Sequence, residues 1–358
     1  MPDIDKRVDA FSRLGALLSL LNEDEKINTV ANPLLRDKLQ ALNRLTSTLQ
    51  QQNGWFSPAF VKNALVSLGE SLHKEKLEKW ISAYGKEIKK VSRPKKVAVI
   101  MAGNVPAVGF HDFLSVLISG HHLLAKLSSD DNKLIPAVAE LLVAIEPEFE
   151  KHIHFTTELL KNFEVVIATG SNNSSRYFEY YFGKYPNIIR KNRNGVAVLT
   201  GRETEEELGK LADDIFLYYG LGCRSIAKLF VPMGYDFNPL FDVLSTRTEV
   251  NDNTKYFNNY EYNKAIYLVN STPHFDTGNL LLTQNSSFSS PVSVLYYDYY
   301  QTRESLKNIL MVNHDRIQCV VTGASFINRK IGFGKSQLPE LWDYADGVDT
   351  LKFLLNLD

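Results

Sequence analysis

The sequence predicts an α/β fold with a helical N-terminal region. Three observations lead there. From Pro94 onward, short apolar runs alternate with helical patterns, as in mostly parallel sheets covered by helices. Before that point, roughly the first 90 residues carry apolar side chains at helical spacing. And 358 residues exceed what one core usually serves, so two lobes are expected, with one large domain as the alternative.

The elements follow in order. Val8, Phe11, Leu14, Leu17, Leu18 and Leu21 share one helical face. A second helix opens at Pro33, turns Leu35, Leu39, Leu42, Leu45 and Leu49 inward, and stops at Asn53-Gly54. Ser57 and Pro58 read as an N-cap and a proline at the first helical position. A further helix carries Leu77, Trp80, Ile81, Tyr84 and Ile88, with lysines and glutamates on its solvated face. Strands are then expected at 97–101, 123–127, 165–168 and 196–199, and helices near 108–119, 133–145 and 174–182. Ligands of such sheets bind at the carboxyl ends of the strands. A second region starts near 201. It opens with a helix from Glu203 to Tyr219, whose early acids suit the positive end of the helix dipole. Strands are expected at 228–231, 265–269, 292–297 and 317–322. The Asn- and Tyr-rich stretch 249–263 reads as a surface loop.

With 40 basic and 41 acidic side chains the formal charge is −1, which calls for neither nucleic acid nor an anionic membrane surface. No run of about 18 apolar residues occurs, so no membrane span is expected. The first twenty residues lack the pattern of a signal peptide. Cys223 and Cys319 lie far apart, which gives neither a disulfide framework nor a zinc site, and a reducing cytoplasm is expected. No metal site is expected.

Four segments could carry chemistry. In Gly220-Leu-Gly-Cys-Arg-Ser225, glycines uncover the Cys223 thiol and let the backbone bend sharply. If Cys223 opens a short helix, outward amides and Arg224 would favour the thiolate and could hold an oxyanion. The alternative is an inert buried cysteine, the commoner case. In Ala102-Gly-Asn-Val-Pro106, directly after a strand, Asn104 can aim its amide at an oxyanion; an ordinary turn reads the same way. Lys126 ends a strand and can reach a ribose or phosphate, or simply marks the end of burial. In Ala168-Thr-Gly-Ser171 a strand ends and a helix opens, so exposed amides can cradle a phosphate; a capped turn fits equally.

In this order, these pieces resemble the aldehyde dehydrogenase superfamily. They resemble more closely its acyl-CoA reductase branch, which includes the fatty-acid reductase subunit of bacterial bioluminescence. The resemblance spans about residues 90–358. It is carried by Ala168-Thr-Gly-Ser with Arg176-Tyr-Phe-Glu-Tyr-Tyr-Phe182, by Tyr219-Gly-Leu-Gly-Cys-Arg-Ser225, and by the ending Gln337 to Asp349. It implies an aldehyde-dehydrogenase-like fold: a helical region over 1–90 packed on the cofactor lobe, a Rossmann-type nicotinamide-binding domain over 91–200, an α/β catalytic domain over 201–335 and a closing segment over 336–358. By the same resemblance Cys223 is the nucleophile and Asn104 the oxyanion donor. Lys126 contacts the adenosine ribose, and Gly170 and Ser171 approach the pyrophosphate. NADPH is the implied cofactor, with NADH as the alternative.

Two departures sharpen this. Where hydrolytic members carry a water-activating glutamate, this chain reads Ile189-Arg-Lys-Asn-Arg-Asn-Gly-Val196. Where the family has a glutamate on the nicotinamide ribose, it reads Ser287-Phe-Ser-Ser-Pro291. Loss of the first glutamate fits an acylating enzyme, whose acyl group exchanges with coenzyme A rather than water. The expected activity is NADPH-dependent reduction of a fatty acyl-CoA, or another acyl thioester, to aldehyde through a Cys223 acyl-enzyme. An acyl-activating partner enzyme and a homo-oligomer fit the resemblance, although the chain is short for the superfamily. The alternatives are an NAD(P)-dependent aldehyde or acyl-phosphate oxidoreductase, or an inactive nucleotide-binding or scaffold protein. Arg176, Tyr177 and Glu179 either position their helix or line the cofactor cleft. His111 and Asp112 read as acid–base groups, as a cap, or as solvated surface. Cys319 reads as a core strand residue, and the aspartates of 343–349 as anchors of the closing segment.

Overall fold

A computed structural model describes residues 1–89, 91 and 93–357; the boundary expected at residue 90 falls outside them. The chain divides into two units, Met1–Lys191 with Pro339–Asp358, and Asn192–Leu338.

The first unit opens with helices α1 (Ile4–Ser19), α2 (Asp24–Ile27), α3 (Pro33–Thr48), α4 (Pro58–Ser71) and α5 (Lys74–Ser82). Asp3, Asn32 and Ser57 cap α1, α3 and α4 by accepting from the amides of Lys6, Leu35 and Phe60, each satisfying one of the donors that a helix start leaves unpaired. There follow β1 (Lys96–Ile100), α6 (Phe110–Ser119), β2 (His122–Lys126), α7 (Leu134–Ile145), β3 (Ile153–Thr156), β4 (Val165–Thr169), α8 (Asn172–Phe182) and β5 (Asn187–Arg190). The five strands form a parallel sheet in the order β3-β2-β1-β4-β5. Successive side chains face opposite sides of a strand, and the sheet uses both. Val97, Val99, Val165 and Ile167 join the large core built with the N-terminal helices, α6 and α7. Ala98, Val166 and Ala168 face Phe178 and Phe182 of α8. The short β3 and β5 are absent from the sequence reading.

Polar groups bind the chain's end, including its last helix (Thr350–Leu355), to this unit. Arg190 and Asp112 form a buried bidentate ion pair, and Arg190 also donates to Thr350 at 2.9 Å. His111 Nε2 meets the Leu341 carbonyl and His121 Nε2 the Leu354 carbonyl, both at 2.9 Å. The Tyr84 hydroxyl donates to Asp349, and Asp346 accepts from the Lys191 amide. The aspartates therefore do anchor the closing segment. The solvated-surface reading of His111 and Asp112 is overturned: Asp112 is buried, and both side chains are committed to structural bonds.

The second unit contains β6 (Asn194–Val198), α9 (Glu205–Phe216), β7 (Ile226–Pro232), α10 (Asn238–Ser245), α11 (Thr254–Val269), β8 (Phe275–Asp276), β9 (Leu281–Gln284), β10 (Val294–Tyr300), α12 (Arg303–Val312) and β11 (Ile317–Val321); the closing helix of the first unit is α13. Its sheet runs β11-β6-β7-β10-β9-β8, parallel except for β8. Three sequence expectations are corrected. The run at 196–199, grouped with the first sheet, pairs in the second as β6. The stretch 249–263 is a short 3-10 turn and then helix α11, because Asn253 caps it and Tyr256 and Tyr260 are buried anchors. The strand expected at 265–269 is the last part of that helix.

The buried histidines set a pH limit. Burial lowers the pKa of His111 and His121 below the ordinary value near 6.5, and that of His152 to about 4. His121 Nδ1 accepts from the Lys95 amide while Nε2 faces a carbonyl, so its partners require the neutral ring protonated on Nε2. Below the unfolded pKa the unfolded chain binds more protons than the folded one. Stability is therefore expected to be full above about pH 6.5 and to fall progressively toward about pH 4. Urea unfolding midpoints across that range are the check, with His121→Gln expected to flatten the dependence.

Candidate functional site

In the first unit, the register sets Lys126 beside Ile100, and Ile100 beside Ala168. The loop bearing Asn104, the side chain of Lys126 and the Gly170-Ser171 turn therefore leave the same carboxyl edge of the sheet, on neighbouring strands β1, β2 and β4.

Asn104 is exposed in the loop between β1 and α6. Its loop is held from beneath. A side chain at Gly103 would strike Ser128, with Oγ only 2.6 Å away. Ala107 sits at φ 56°, a left-handed conformation rare for a residue with a Cβ. Its amide donates to buried Asp131 at 3.1 Å, and the same carboxylate accepts from the amide of Leu134, the first residue of α7, at 3.2 Å. Burial pushes the Asp131 carboxyl up, against these two bonds. The Lys126 ammonium donates to the carbonyls of Thr157 and Glu158 at 3.3 and 2.9 Å. One of its three N–H groups stays uncommitted among the described residues.

Gly170 and Ser171 lead into α8. A Cβ at Gly170 would lie 2.8 Å from the Phe178 ring and 2.9 Å from Ser174 Cβ, so glycine is required for the strand-to-helix turn to close. Ser171 is the N-cap, its hydroxyl accepting from the Ser174 amide at 3.2 Å. Further along, Glu179 pairs with Lys191 at 3.0 Å, while Tyr177 is 66% exposed.

In the second unit, Cys223 lies half-buried in a turn closed by the Ser225 amide on the Gly222 carbonyl. It opens no helix, contrary to the conditional reading above. The backbone before it is bent by another device: Tyr218, Tyr219 and Gly220 stand in succession at φ 55°, 56° and 74°. Two buried tyrosines in the left-handed region cost about 1–3 kcal/mol each, and such strain clusters at functional sites.

The turn is clamped. The Ser225 hydroxyl accepts from the Gly222 amide and from Gln337 Nε2 at 3.2 and 3.0 Å. Arg224 is buried, with Nε on the Ser336 carbonyl. The Cys319 thiol meets the Arg224 carbonyl at 3.7 Å. That carbonyl lies 2.6 Å from where a Cβ of Gly195 would be, so β6 needs glycine there. Arg224, expected to influence the thiol, has its guanidinium drawn to Ser336. Cys319 is the buried strand residue expected of it.

The two departures also have places. Arg190 of the 189–196 stretch is taken by Asp112. The 287–291 stretch is a loop between β9 and β10, anchored by Phe288 against Phe230. Just before it, the Asn285 carbonyl accepts from Lys228 Nζ at 2.7 Å. Lys228 is 1% exposed on β7, and burial lowers its pKa while Asp298, 3.6 Å away, pulls it back up.

Asn104, Lys126, Gly170 and Ser171 thus share one sheet edge of the first unit, and Cys223 belongs to the second. Sequence reading missed Asp131, Gly195, Asp214, Lys228 and Ser336, whose roles come from contacts distant in sequence; the only local signal was an ionisable residue inside an apolar run, as at Lys228. Among the described residues no cluster of three or more His, Cys, Asp or Glu could hold a metal ion, and no helix is long and apolar enough to cross a membrane.

No protein-family model matches the sequence, and no curated protein matches it. Solved structures do match. Aldehyde dehydrogenase 21 of Physcomitrella patens, in complex with succinate, is 12% identical with a TM-score of 0.59, over 90% of this chain and 77% of that one. The indole-3-acetaldehyde dehydrogenase of P. syringae, a mutant bound to NAD+ and IAA, is 12% identical with a TM-score of 0.57, over 91% and 72%. The 1-pyrroline-5-carboxylate dehydrogenase of Thermus thermophilus is 12% identical with a TM-score of 0.56, over 98% and 83%. The chain has the aldehyde dehydrogenase fold.

Gly170→Ala tests the close approach of β4 and α8. It is expected to destabilise the protein by about 1–3 kcal/mol, as overpacking does, read as a lowered midpoint in urea unfolding.

Proposed function

We propose that this chain is a nicotinamide-dependent oxidoreductase that reduces an acyl thioester, of the fatty acyl-CoA class, to the aldehyde through Cys223. The observation that carries the reading is the strained Tyr218-Tyr219-Gly220 run delivering Cys223 in a glycine-flanked, clamped turn. The fold supports it, since neighbours of that fold include aldehyde dehydrogenases, one bound to NAD+, and an NADP-dependent enzyme of E. coli.

The donors at the carboxyl edge of the first sheet fit a dinucleotide. Lys126 offers an uncommitted N–H to a ribose hydroxyl, and the Ser171-capped start of α8 offers amides and a positive dipole end to the pyrophosphate. On this reading residues 91–191 form the cofactor lobe, and the second unit is catalytic.

The Cys223 thiolate attacks the acyl carbonyl, and hydrogen-bond donors hold the tetrahedral oxyanion, the role that the family resemblance gives Asn104. Expulsion of coenzyme A as thiolate leaves the acyl group on Cys223. When bound, a reduced nicotinamide supplies the hydride that this thioester takes up. Hydride addition leaves a tetrahedral oxyanion on Cys223; as it collapses to the carbonyl the C–S bond breaks, and aldehyde leaves as the thiolate returns. Ile189–Val196 contains no acid to activate water, so the acyl group persists long enough to be reduced. A second reading, oxidation of an aldehyde, is favoured by the aldehyde dehydrogenases among the structural neighbours.

Cys223→Ala is expected to reduce acyl-CoA-dependent NADPH oxidation, followed by absorbance, to background. Retained turnover overturns the nucleophile. Wild-type protein that reduces NAD(P)+ with aldehyde, yet leaves acyl-CoA untouched, establishes the second reading instead.

A further inference from the structure

Asp214 lies near the end of α9 and is 3% exposed. A buried carboxylate is costly unless it is paired and hydrogen-bonded. Among the described residues Asp214 makes no ion pair. Its two oxygens instead accept separate backbone amides, Gly334 at 2.7 Å and Ser336 at 2.8 Å. Burial pushes its pKa up, and the bonds from Ser336 and Gly334 pull it back down. The charge is spent on fixing one short segment of backbone.

That segment reaches the cysteine turn from two directions. Ser336 gives its amide to Asp214 and its carbonyl to Arg224 Nε, so the residue after Cys223 is coupled to the carboxylate through the backbone of a single residue. The next residue, Gln337, donates to the Ser225 hydroxyl, which also accepts from the Gly222 amide. Residues on both sides of Cys223 are thereby tied to 336–337. Asp214 also stands four residues before the left-handed run at Tyr218, near the end of the helix from which that run departs. Strain of that kind persists only where its surroundings over-determine it.

We propose that Asp214 is a positioning residue for Cys223, acting through the Gly334–Ser336 segment and Arg224. The proposal rests on the reading of Cys223 as the nucleophile. In Asp214→Asn one of the two amides meets an NH2 group instead of an acceptor. Ser336 then shifts, and the direction and environment of the thiol shift with it.

The test is the rate of Cys223 alkylation by iodoacetamide as a function of pH, followed by peptide mass on the full chain. Asp214→Asn is expected to slow alkylation near neutral pH by about tenfold, as small misplacements of reacting groups do, and to displace the midpoint of the pH profile. Asp276→Asn, which breaks the ion pair with Lys264 at the β8 end of the same sheet, controls for general loosening and is expected to leave the profile in place. Arg224→Lys keeps the charge but removes the Nε donor. It is expected to move the profile in the same sense, and it decides the matter if Asp214→Asn does not fold. A folded Asp214→Asn whose profile superimposes on wild type overturns the positioning role alone. A wild-type Cys223 that reacts no faster than an unperturbed thiol overturns the nucleophile reading, and this proposal with it.

Discussion

The pairing of Arg190 with Asp112 is the constraint on which the first unit depends. Both side chains are nearly dry, with 5% and 8% exposure. Removing one partner of such a pair leaves an uncompensated buried charge, at a cost of about 3–5 kcal/mol. The pair fixes more than two residues. Arg190 ends the edge strand β5 and Asp112 lies in the first turn of α6. The guanidinium also reaches Thr169 at the end of β4 and Thr350 at the start of α13. One cation therefore holds together two strand ends, one helix start and the returning tail. The strand ends it fixes border the sheet edge from which the Asn104 loop, Lys126 and the Gly170-Ser171 turn emerge.

The second unit solves a similar problem with backbone amides. Among the described residues Asp214 meets no cation, and the Gly334 and Ser336 amides take its place. The trade suits a loop. A buried ion pair fixes two side chains, whereas a carboxylate accepting two amides fixes main chain directly, because each bond acts on the peptide unit itself. It is main chain that must be fixed around Cys223. The Arg224 carbonyl packs on Gly195 too closely to admit a side chain, and the Gly222 amide must reach Ser225. Most partners of the cysteine turn lie far away in sequence, from β6 to residue 337. The shape of the turn therefore depends on contacts that the rest of that unit supplies.

This separation explains what the sequence could and could not reveal. Parallel strands were legible at 97–101, 123–127 and 165–168 because doubly buried strands read as unbroken apolar runs. The helix start at Pro33 and the cap at Ser57-Pro58 follow local rules and stand where those rules put them. Helix α11 was missed because Asn and Tyr dominate it and its apolar residues do not collect on one face. What makes it a helix is one cap at Asn253 and two tyrosines buried by tertiary contacts. Strands β3, β5 and β9 are only four residues each, too short to show a period. Asp112 sat next to a suggestive histidine and drew a solvated reading, because its partner is 78 residues away. The glycines around Cys223 announced a bend, but a left-handed pair of tyrosines has no signature, since glycine, asparagine and aspartate are the usual residues at positive φ.

That pair of tyrosines is the feature least explained by stability. At about 1–3 kcal/mol each, Tyr218 and Tyr219 together hold strain comparable with a sizeable part of the 5–15 kcal/mol by which domains are typically stable. Glycines would remove the penalty, yet only Gly220 of the three is one. The side chains supply the offset: both tyrosines are under 10% exposed, and Tyr219 packs against Tyr256 with ring centroids 5.8 Å apart. Burying large aromatic rings contributes about as much as the strain removes. Glycines would have relieved the strain, but they would also have given up that burial and left the approach to Cys223 free to take many paths. Paired tyrosines allow one path, with the rings as ballast. A loop built this way trades no net stability for a fixed direction of approach, which a proposed nucleophile needs and an inert core cysteine such as Cys319 does not.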